Sequence, residues 1–207
     1  MAGDGMEIQG FKSGVARLRR FPDVLEKRLQ LATRQNAVGL EGEIKKGMKD
    51  QAPGGMAYQP LHPWTVGARL AVMSLRYRKK VEARAAAMQS AGLVGHKALI
   101  NHGDLLGSIT HRMFGNDLSA VVGVNRFAKA RNGKPMVNIA RIVFYGAVIQ
   151  VTPGMRMWMH GNGMHLKDTT THIVIPPRPT IEPAYEAYRD TIVDRYTRAV
   201  HGAAKAI

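Results

Sequence analysis

The sequence predicts an α+β fold with long N-terminal helices, a small and mainly antiparallel sheet, and a C-terminal helix. Apolar residues recur at helical spacing through the first 50 residues and again from about 64 to 90. Short runs rich in valine and isoleucine follow between residues 105 and 152, and residues 181–206 return to a helical period. This order of helices, strands and helix is typical of an α+β domain.

Proline and glycine place the boundaries in the N-terminal half. Phe21-Pro22 is expected to interrupt a short first helix, and a longer helix then runs to about Gln51, where Pro53-Gly54-Gly55 cannot continue it. The apolar positions of the longer helix are Leu25, Leu29, Ala32, Val38, Ile44 and Met48. We therefore divide the chain into an N-terminal helical arm, residues 1–52, and an α+β domain, residues 53–207.

The strand candidates lie in the middle of the chain. Residues 105–114 and 119–125 are predicted to form a hairpin, because Gly115-Asn116-Asp117 between them favours a turn. Residues 138–145 (NIARIVFY) are a third strand candidate, and residues 149–152 and 172–176 are candidates for edge strands. The methionine-rich residues 155–164 are interpreted as a loop, which either adapts to a neighbouring surface or fills the core.

The predicted helices carry more apolar surface than so small a sheet can cover. The final helix alone places several apolar or aromatic residues on one side, namely Tyr185, Tyr188, Ile192, Tyr196 and Val200. This surplus predicts burial against other copies of the chain.

The formal net charge of +15 predicts attraction to polyanions, including nucleic acid, membrane surfaces and acidic protein faces. Its densest cluster includes Arg76, Lys80 and Arg84, which share one helix face at four-residue spacing. This face is either solvated or in contact with phosphate or an acidic partner. The chain has no cysteine, which excludes disulfides and thiolate metal sites, and it has no apolar run long enough to span a membrane or pattern of a secretory signal.

Sequence patterns of catalysis are missing. The chain contains no GxGxxG, P-loop or GxSxG motif, and its 15 carboxylates are dispersed. His160 and His165 have a five-residue spacing, but two histidines do not make the three or four ligands of a metal site. We therefore predict no catalytic, cofactor-binding or metal-binding residues, no cofactor, and a protein that is not an enzyme.

Three segments together resemble the phage virion-morphogenesis family, which includes tail-completion proteins of Mu-like phages. They are residues 53–65 (PGGMAYQPLHPWT), residues 99–109 (LINHGDLLGSI), and a composite of 142–146 (IVFYG), 151–156 (VTPGMR) and 175–179 (IPPRP). The order and spacing of the pieces carry the resemblance, which covers roughly residues 50–190.

The resemblance implies a structural subunit of the phage neck that completes or caps the tail and joins it to the head. It implies a hexameric ring, contacts with connector, tail-tube or tail-terminator proteins, proximity to genomic DNA in the channel, assembly in the host cytoplasm, and a final place in the virion. The candidate contact residues are Arg76, Lys80, Arg84, Arg156 and Arg178. Arg178 lies between prolines and either reaches a carboxylate or helix carbonyls or is a solvated residue at the end of a strand. The alternative function is a basic nucleic-acid-binding protein.

Overall fold

The computed structural model describes residues 11–59, 61, 99, 103–161 and 165–206. Its helices are α1 (Phe11–Asp50), α2 (Asp104–Ser108), α3 (Met136–Tyr145), α4 (Pro153–Gly161) and α5 (Ile181–Lys205), with a 3-10 turn at Pro53–Gly55. Its strands are β1 (Ile109–Phe114), β2 (Ser119–Val124), β3 (Ala147–Gln150) and β4 (His172–Ile175). The strands form two two-stranded sheets, β1–β2 and β3–β4. The predicted α+β class is confirmed. The predicted helix over 64–90 lies outside the described residues.

The first helix does not break at Pro22, so the predicted interruption is wrong. Helix α1 runs through Pro22 for 40 residues. A proline inside a helix removes one backbone hydrogen bond, here the one to the carbonyl of Leu18. Pro22 lies in an exposed part of α1, where Leu18 is 67% exposed, and the helix continues on both sides of it.

The buried face of α1 differs from the predicted one near its middle. Val38 is 53% exposed, whereas Thr33 and Asn36 are buried beside Ala32 and Ala37. The two pairs Ala32–Asn36 and Thr33–Ala37 have the four-residue spacing of one helix face. Polar residues can occupy this face because each finds a hydrogen-bond partner, as described below. Ile44 and Met48, by contrast, are fully buried as predicted.

The described residues form two compact units, to which both long helices contribute. Residues 11–40, 111–122 and 188–206 form one, called here the helix-pair unit. Residues 41–59, 61, 99, 103–110, 123–161 and 165–187 form the other, called the ribbon unit. Each unit draws on residues from both sides of position 52, and the predicted division into arm and domain stays a prediction.

The helix-pair unit consists mainly of α1 and α5 packed in antiparallel directions. The Tyr196 hydroxyl lies 2.9 Å from the Thr33 hydroxyl, and the Asn36 side-chain amide donates to the Ile192 carbonyl at 3.4 Å. Arg195 donates to the Gln35 carbonyl at 3.0 Å. As the residue number rises along α1, that of its partner on α5 falls. These bonds explain the polar residues at the centre of the interface, because buried polar groups need partners.

The middle of the chain holds more helix than predicted. Residues 105–108 belong to α2, and only Ile109–Phe114 forms the strand that pairs with β2. Residues 138–145 are part of helix α3, so the third strand prediction is wrong. Met136, Ala140 and Phe144 are buried at four-residue spacing, and this helical burial outweighs the β-propensity of the isoleucine and valine residues between them.

Strands β3 and β4 lie near their predicted positions, and they pair with each other. Their antiparallel register sets Ala147 opposite Ile175 and Val148 opposite Val174. Residues 155–161 of the predicted loop 155–164 are instead part of helix α4, so the loop prediction is wrong there. The Thr152 hydroxyl caps this helix by accepting a hydrogen bond from the backbone N–H of Met155 at 3.2 Å, and Pro153 suits its first turn.

The turn after α1 packs tightly against the start of α5 within the ribbon unit. Gly54 has a positive φ of 59°, and a Cβ atom placed on it would lie 2.2 Å from the Pro183 carbonyl oxygen. The neighbouring Gly55 also has a positive φ, 83°, but a Cβ atom there would meet nothing within 4 Å. Substitutions at the two glycines therefore distinguish the cost of a positive φ, which both positions share, from the cost of steric crowding, which only position 54 has.

We predict that Gly54→Ala destabilises the protein by clearly more than Gly55→Ala. The left-handed conformation alone costs an alanine about 1–2 kcal/mol, and crowding against backbone at position 54 adds a further cost on the order of 2 kcal/mol. Urea unfolding followed by circular dichroism measures both variants. Equal losses of unfolding free energy would show that the contact with Pro183 contributes nothing.

Candidate assembly site

Two of the five predicted contact residues lie in the described part of the chain. Arg156, on α4, and Arg178, between β4 and α5, both belong to the ribbon unit. Arg76, Lys80 and Arg84 lie outside the described residues. The structure therefore gives the surroundings of the two arginines, while the assembly role of all five stays a prediction.

Arg178 is buried and makes few hydrogen bonds to the described residues. It is only 7% exposed, so the alternative interpretation of a solvated arginine is wrong. Its backbone N–H donates to the Val143 carbonyl at 3.0 Å, and its Nη2 donates to the Gln59 carbonyl at 3.5 Å. Among the described residues, its Nε is the buried side-chain atom that has no hydrogen-bond partner. Burial lowers the pKa of Arg178 because it disfavours the charged form.

A buried hydrogen-bonded chain lies beside this arginine. The Thr180 hydroxyl donates to the Arg178 carbonyl at 3.0 Å. Since that hydroxyl has one proton, the Tyr58 hydroxyl is the donor in the 2.6 Å contact between Tyr58 and Thr180. Burial raises the pKa of Tyr58 to about 12, although the positive charge of Arg178 acts in the opposite direction. The arrangement ties the loop after α1 to the segment before α5.

Arg156 donates hydrogen bonds to backbone carbonyls of the turn at residues 166–170. Its Nη1 donates to the Lys167 carbonyl at 2.7 Å and the Leu166 carbonyl at 3.4 Å. Its Nη2 donates to the Thr170 carbonyl at 2.7 Å and the Asp168 carbonyl at 3.4 Å. The planar guanidinium thus binds several carbonyls of one turn at once. The ammonium group of a lysine cannot make these bonds with the same geometry. Both terminal nitrogens of Arg156 are engaged within the chain.

The β3–β4 ribbon carries an exposed apolar pair that sequence reasoning missed. Val148 and Val174 lie directly opposite each other and are 66% and 68% exposed. Tyr145, at the end of α3 just before β3, is 80% exposed. We call the exposed side of the ribbon, formed by Val148, Gln150, His172 and Val174, the ribbon face. Burial alternates along both strands, with Ala147, Ile149, Ile173 and Ile175 half-buried on the other side. The sequences AVIQ and HIVI are apolar runs that do not indicate which of their side chains are exposed.

The two histidines singled out in the sequence do come together. The rings of His160 and His165 are edge to face, with centroids 4.1 Å apart. Within the described residues, no group of three or more potential metal ligands forms. In the same part of the chain, no helix combines the length and the apolarity that crossing a membrane requires.

Comparison of the chain with protein families, curated proteins and solved structures found no match.

We predict that Tyr58 makes the protein less stable at alkaline pH. In the unfolded chain tyrosine begins to lose its proton near pH 10, whereas folded Tyr58, with its raised pKa, keeps it to about pH 12. The stability that protonated Tyr58 contributes is therefore fully present below pH 10 and falls by up to about 2 kcal/mol as the pH rises toward 12. Tyr58→Phe should cost about 1 kcal/mol at neutral pH through the lost hydrogen bond, yet fall less steeply in alkali.

Guanidinium unfolding at neutral pH and across the alkaline range measures both effects. Tyr185→Phe is the matched control, because Tyr185 is 42% exposed. An alkaline loss for Tyr58→Phe as steep as that of the wild type would show that Tyr58 does not carry the pH dependence.

We also predict that Arg156→Lys loosens the turn at residues 166–170. Losing the fork of hydrogen bonds to the Lys167 and Thr170 carbonyls should cost about 2 kcal/mol locally, because charged donors make the stronger hydrogen bonds. Hydrogen exchange across residues 165–171 should become faster. Arg141→Lys, at an exposed position on α3, is the control and should leave exchange unchanged. Unaltered protection in Arg156→Lys would contradict the role of the guanidinium.

Proposed function

We propose that this protein is a structural ring subunit of a phage neck, which completes or caps the tail and joins it to the head. The observation that carries the assembly part of the proposal is the ribbon face. The phage part rests on the resemblance of the three sequence segments. The proposal gives the protein no catalytic role.

The ribbon supports self-association for two physical reasons. A two-stranded ribbon is marginally stable alone, and in the described part of the chain β3 and β4 each pair on one edge only. Its exposed face also sets Val148 against Val174, so covering the ribbon would bury apolar surface from both strands. A second chain can cover the valines, pair with an open edge, or do both.

A closed ring needs contacts between different surfaces of successive subunits. The ribbon unit offers further exposed apolar side chains outside the ribbon face. They are Ile142 and Tyr145 on α3, at 42% and 80% exposure, and Met157 on α4, at 74%. The ribbon face of one subunit can therefore meet an apolar helix surface of the next without a self-complementary patch.

The positions of the family-like segments also support the proposal. Residues 142–146 and 151–156 are neighbours in sequence, whereas residues 175–179 follow about twenty residues later, and all three segments lie in the ribbon unit. The backbone N–H of Arg178 donates to the Val143 carbonyl at 3.0 Å, and Ile175 pairs with Ala147, directly after Gly146. Residues that resemble one motif thus share one packing unit.

We predict that the wild-type chain forms a discrete hexamer and that Val174→Glu reduces it to monomers. A charge on the ribbon face would have to be desolvated in the interface, which costs several kcal/mol, whereas exposed strand positions tolerate such changes within about 1 kcal/mol. Val148→Glu should act in the same way. Native mass spectrometry measures the stoichiometry, and circular dichroism checks folding.

Val121→Glu is the matched control. Val121 is a strand valine of similar exposure, 61%, but it lies on β2 in the helix-pair unit. Its replacement should leave the hexamer intact. A wild-type chain that stays monomeric both in solution and inside virions would overturn the ring proposal. An intact hexamer of the Val174→Glu variant would show that the ribbon face is not part of the interface.

A further inference from the structure

The connection between β2 and α3 concentrates positive charge. Residues 125–135, called here the basic loop, contain Arg126, Lys129, Arg131 and Lys134 and no acidic residue. The whole stretch between Asp117 and Asp168 holds seven lysines and arginines and no acid. The charge of the basic loop is therefore not neutralised by its neighbours in sequence.

Within the part of the chain that the structure describes, the charges of the basic loop also have few ionic partners. Arg126, Lys129 and Lys134 are exposed and make no ion pair with any described residue. The Nε of Arg131 lies 3.8 Å from Asp104, but the arginine side chain is 69% exposed, and such a surface pair contributes little. The loop presents four cations to solvent.

The basic loop has a defined backbone. Lys129 and Pro135 form an antiparallel bridge, and the backbone N–H of Ala130 donates to the Lys134 carbonyl at 2.9 Å. The Asn125 side chain accepts a hydrogen bond from the Phe127 N–H at 2.9 Å, and the Asn132 side chain accepts one from the Lys134 N–H at 3.2 Å. A loop held by its own hydrogen bonds loses less conformational entropy on binding.

The basic loop also carries an exposed aromatic ring. Phe127 is 71% exposed, and the Arg126 guanidinium lies over it, 4.6 Å from the ring centroid. An exposed phenylalanine among exposed cations suits a ligand that offers both negative charge and flat aromatic surface. Nucleic acid offers both, through its phosphates and bases, whereas an acidic protein surface offers mainly the charge.

We propose that the basic loop is a nucleic-acid-binding site. Lys129, Arg131 and Lys134 contact phosphates, and Phe127 with Arg126 stacks on an exposed base. Phosphates are common to duplexes and single strands, but only an unpaired base has a free face for stacking. Single strands should therefore bind more tightly than duplexes of the same sequence. This site does not depend on ring formation, so the two proposals can fail separately.

The test uses fluorescence anisotropy of the full chain with a labelled single strand and a duplex of the same sequence, at a series of salt concentrations. The variant Lys129→Gln, Arg131→Gln, Lys134→Gln should lower the affinity for both probes about tenfold or more at low salt. Its salt slope, log K against log salt, should be smaller by about 2–3, because each phosphate contact contributes about 0.7–0.9. Phe127→Leu should weaken single-strand binding at least about fivefold and change duplex binding less.

The control variant is Arg17→Gln, Arg19→Gln, Arg20→Gln, which removes the same charge from exposed positions on α1. It should keep the affinity of the wild type within about twofold. Equal losses in the two triple variants would overturn the proposal in favour of diffuse charge attraction. The proposal would also be overturned if the wild type bound neither probe. It would be overturned as well if the wild type bound polyglutamate as tightly as the single strand and Phe127→Leu had no effect. Light scattering on the same samples reports the oligomer, which separates loss of binding from loss of assembly.

Discussion

The hydrogen bond between Tyr58 and Thr180 joins two stretches of the ribbon unit that are 122 residues apart in sequence. Thr180 belongs to residues 175–183, which contain four prolines. This segment continues β4 at Ile175, binds the end of α3 through the Arg178 N–H, and sets Pro183 against Gly54 at the start of α5. Pro176, Pro177 and Pro179 restrict the backbone before α5 to an extended path, and Pro183 lies in the first turn of α5, so one short segment makes all these contacts.

Burial of Arg178 follows from this arrangement and has a physical cost. Among the described residues, Arg178 reaches the carbonyl of Gln59 and no carboxylate, and its Nε has no hydrogen-bond partner. Desolvation of a buried cation lowers stability, and the same desolvation lowers the pKa of Arg178. The long aliphatic stem of an arginine offsets part of such a cost, because it buries apolar surface. Arg178 thus belongs to the interior of the subunit.

The ribbon unit carries two exposed surfaces of different chemistry, the ribbon face and the basic loop. The ribbon face pairs two valines on a two-stranded sheet, where apolar burial and strand pairing favour another protein chain. The basic loop is cationic, with one aromatic ring, and it favours a polyanion. A subunit that both assembles and contacts nucleic acid needs two such surfaces of different chemistry, and this unit carries them on separate elements.

The differences between the predicted and observed elements have a common cause. Proline at position 22 disfavours the helix interior because it lacks an N–H, but α1 continues through it in an exposed part of the helix. The β-branched residues within 138–145 favour a strand, whereas Met136, Ala140 and Phe144 follow a helical period and are buried. In both cases the surroundings outweigh a local preference. The resemblance points to Arg156, but spacing alone does not predict its hydrogen bonds to the turn at 166–170.

Several features follow from the order of residues alone, namely the α+β class, the long final helix, the end of α1 before Pro53, and the β1–β2 hairpin around its turn. They depend on short-range effects, which are backbone restriction at proline and glycine and the period of apolar residues. Other features required the folded chain: Thr33 and Asn36 are buried, Arg178 is interior, and Val148 and Val174 are exposed together. Each of these depends on a partner far away in sequence, because burial and hydrogen bonding are properties of neighbours in space.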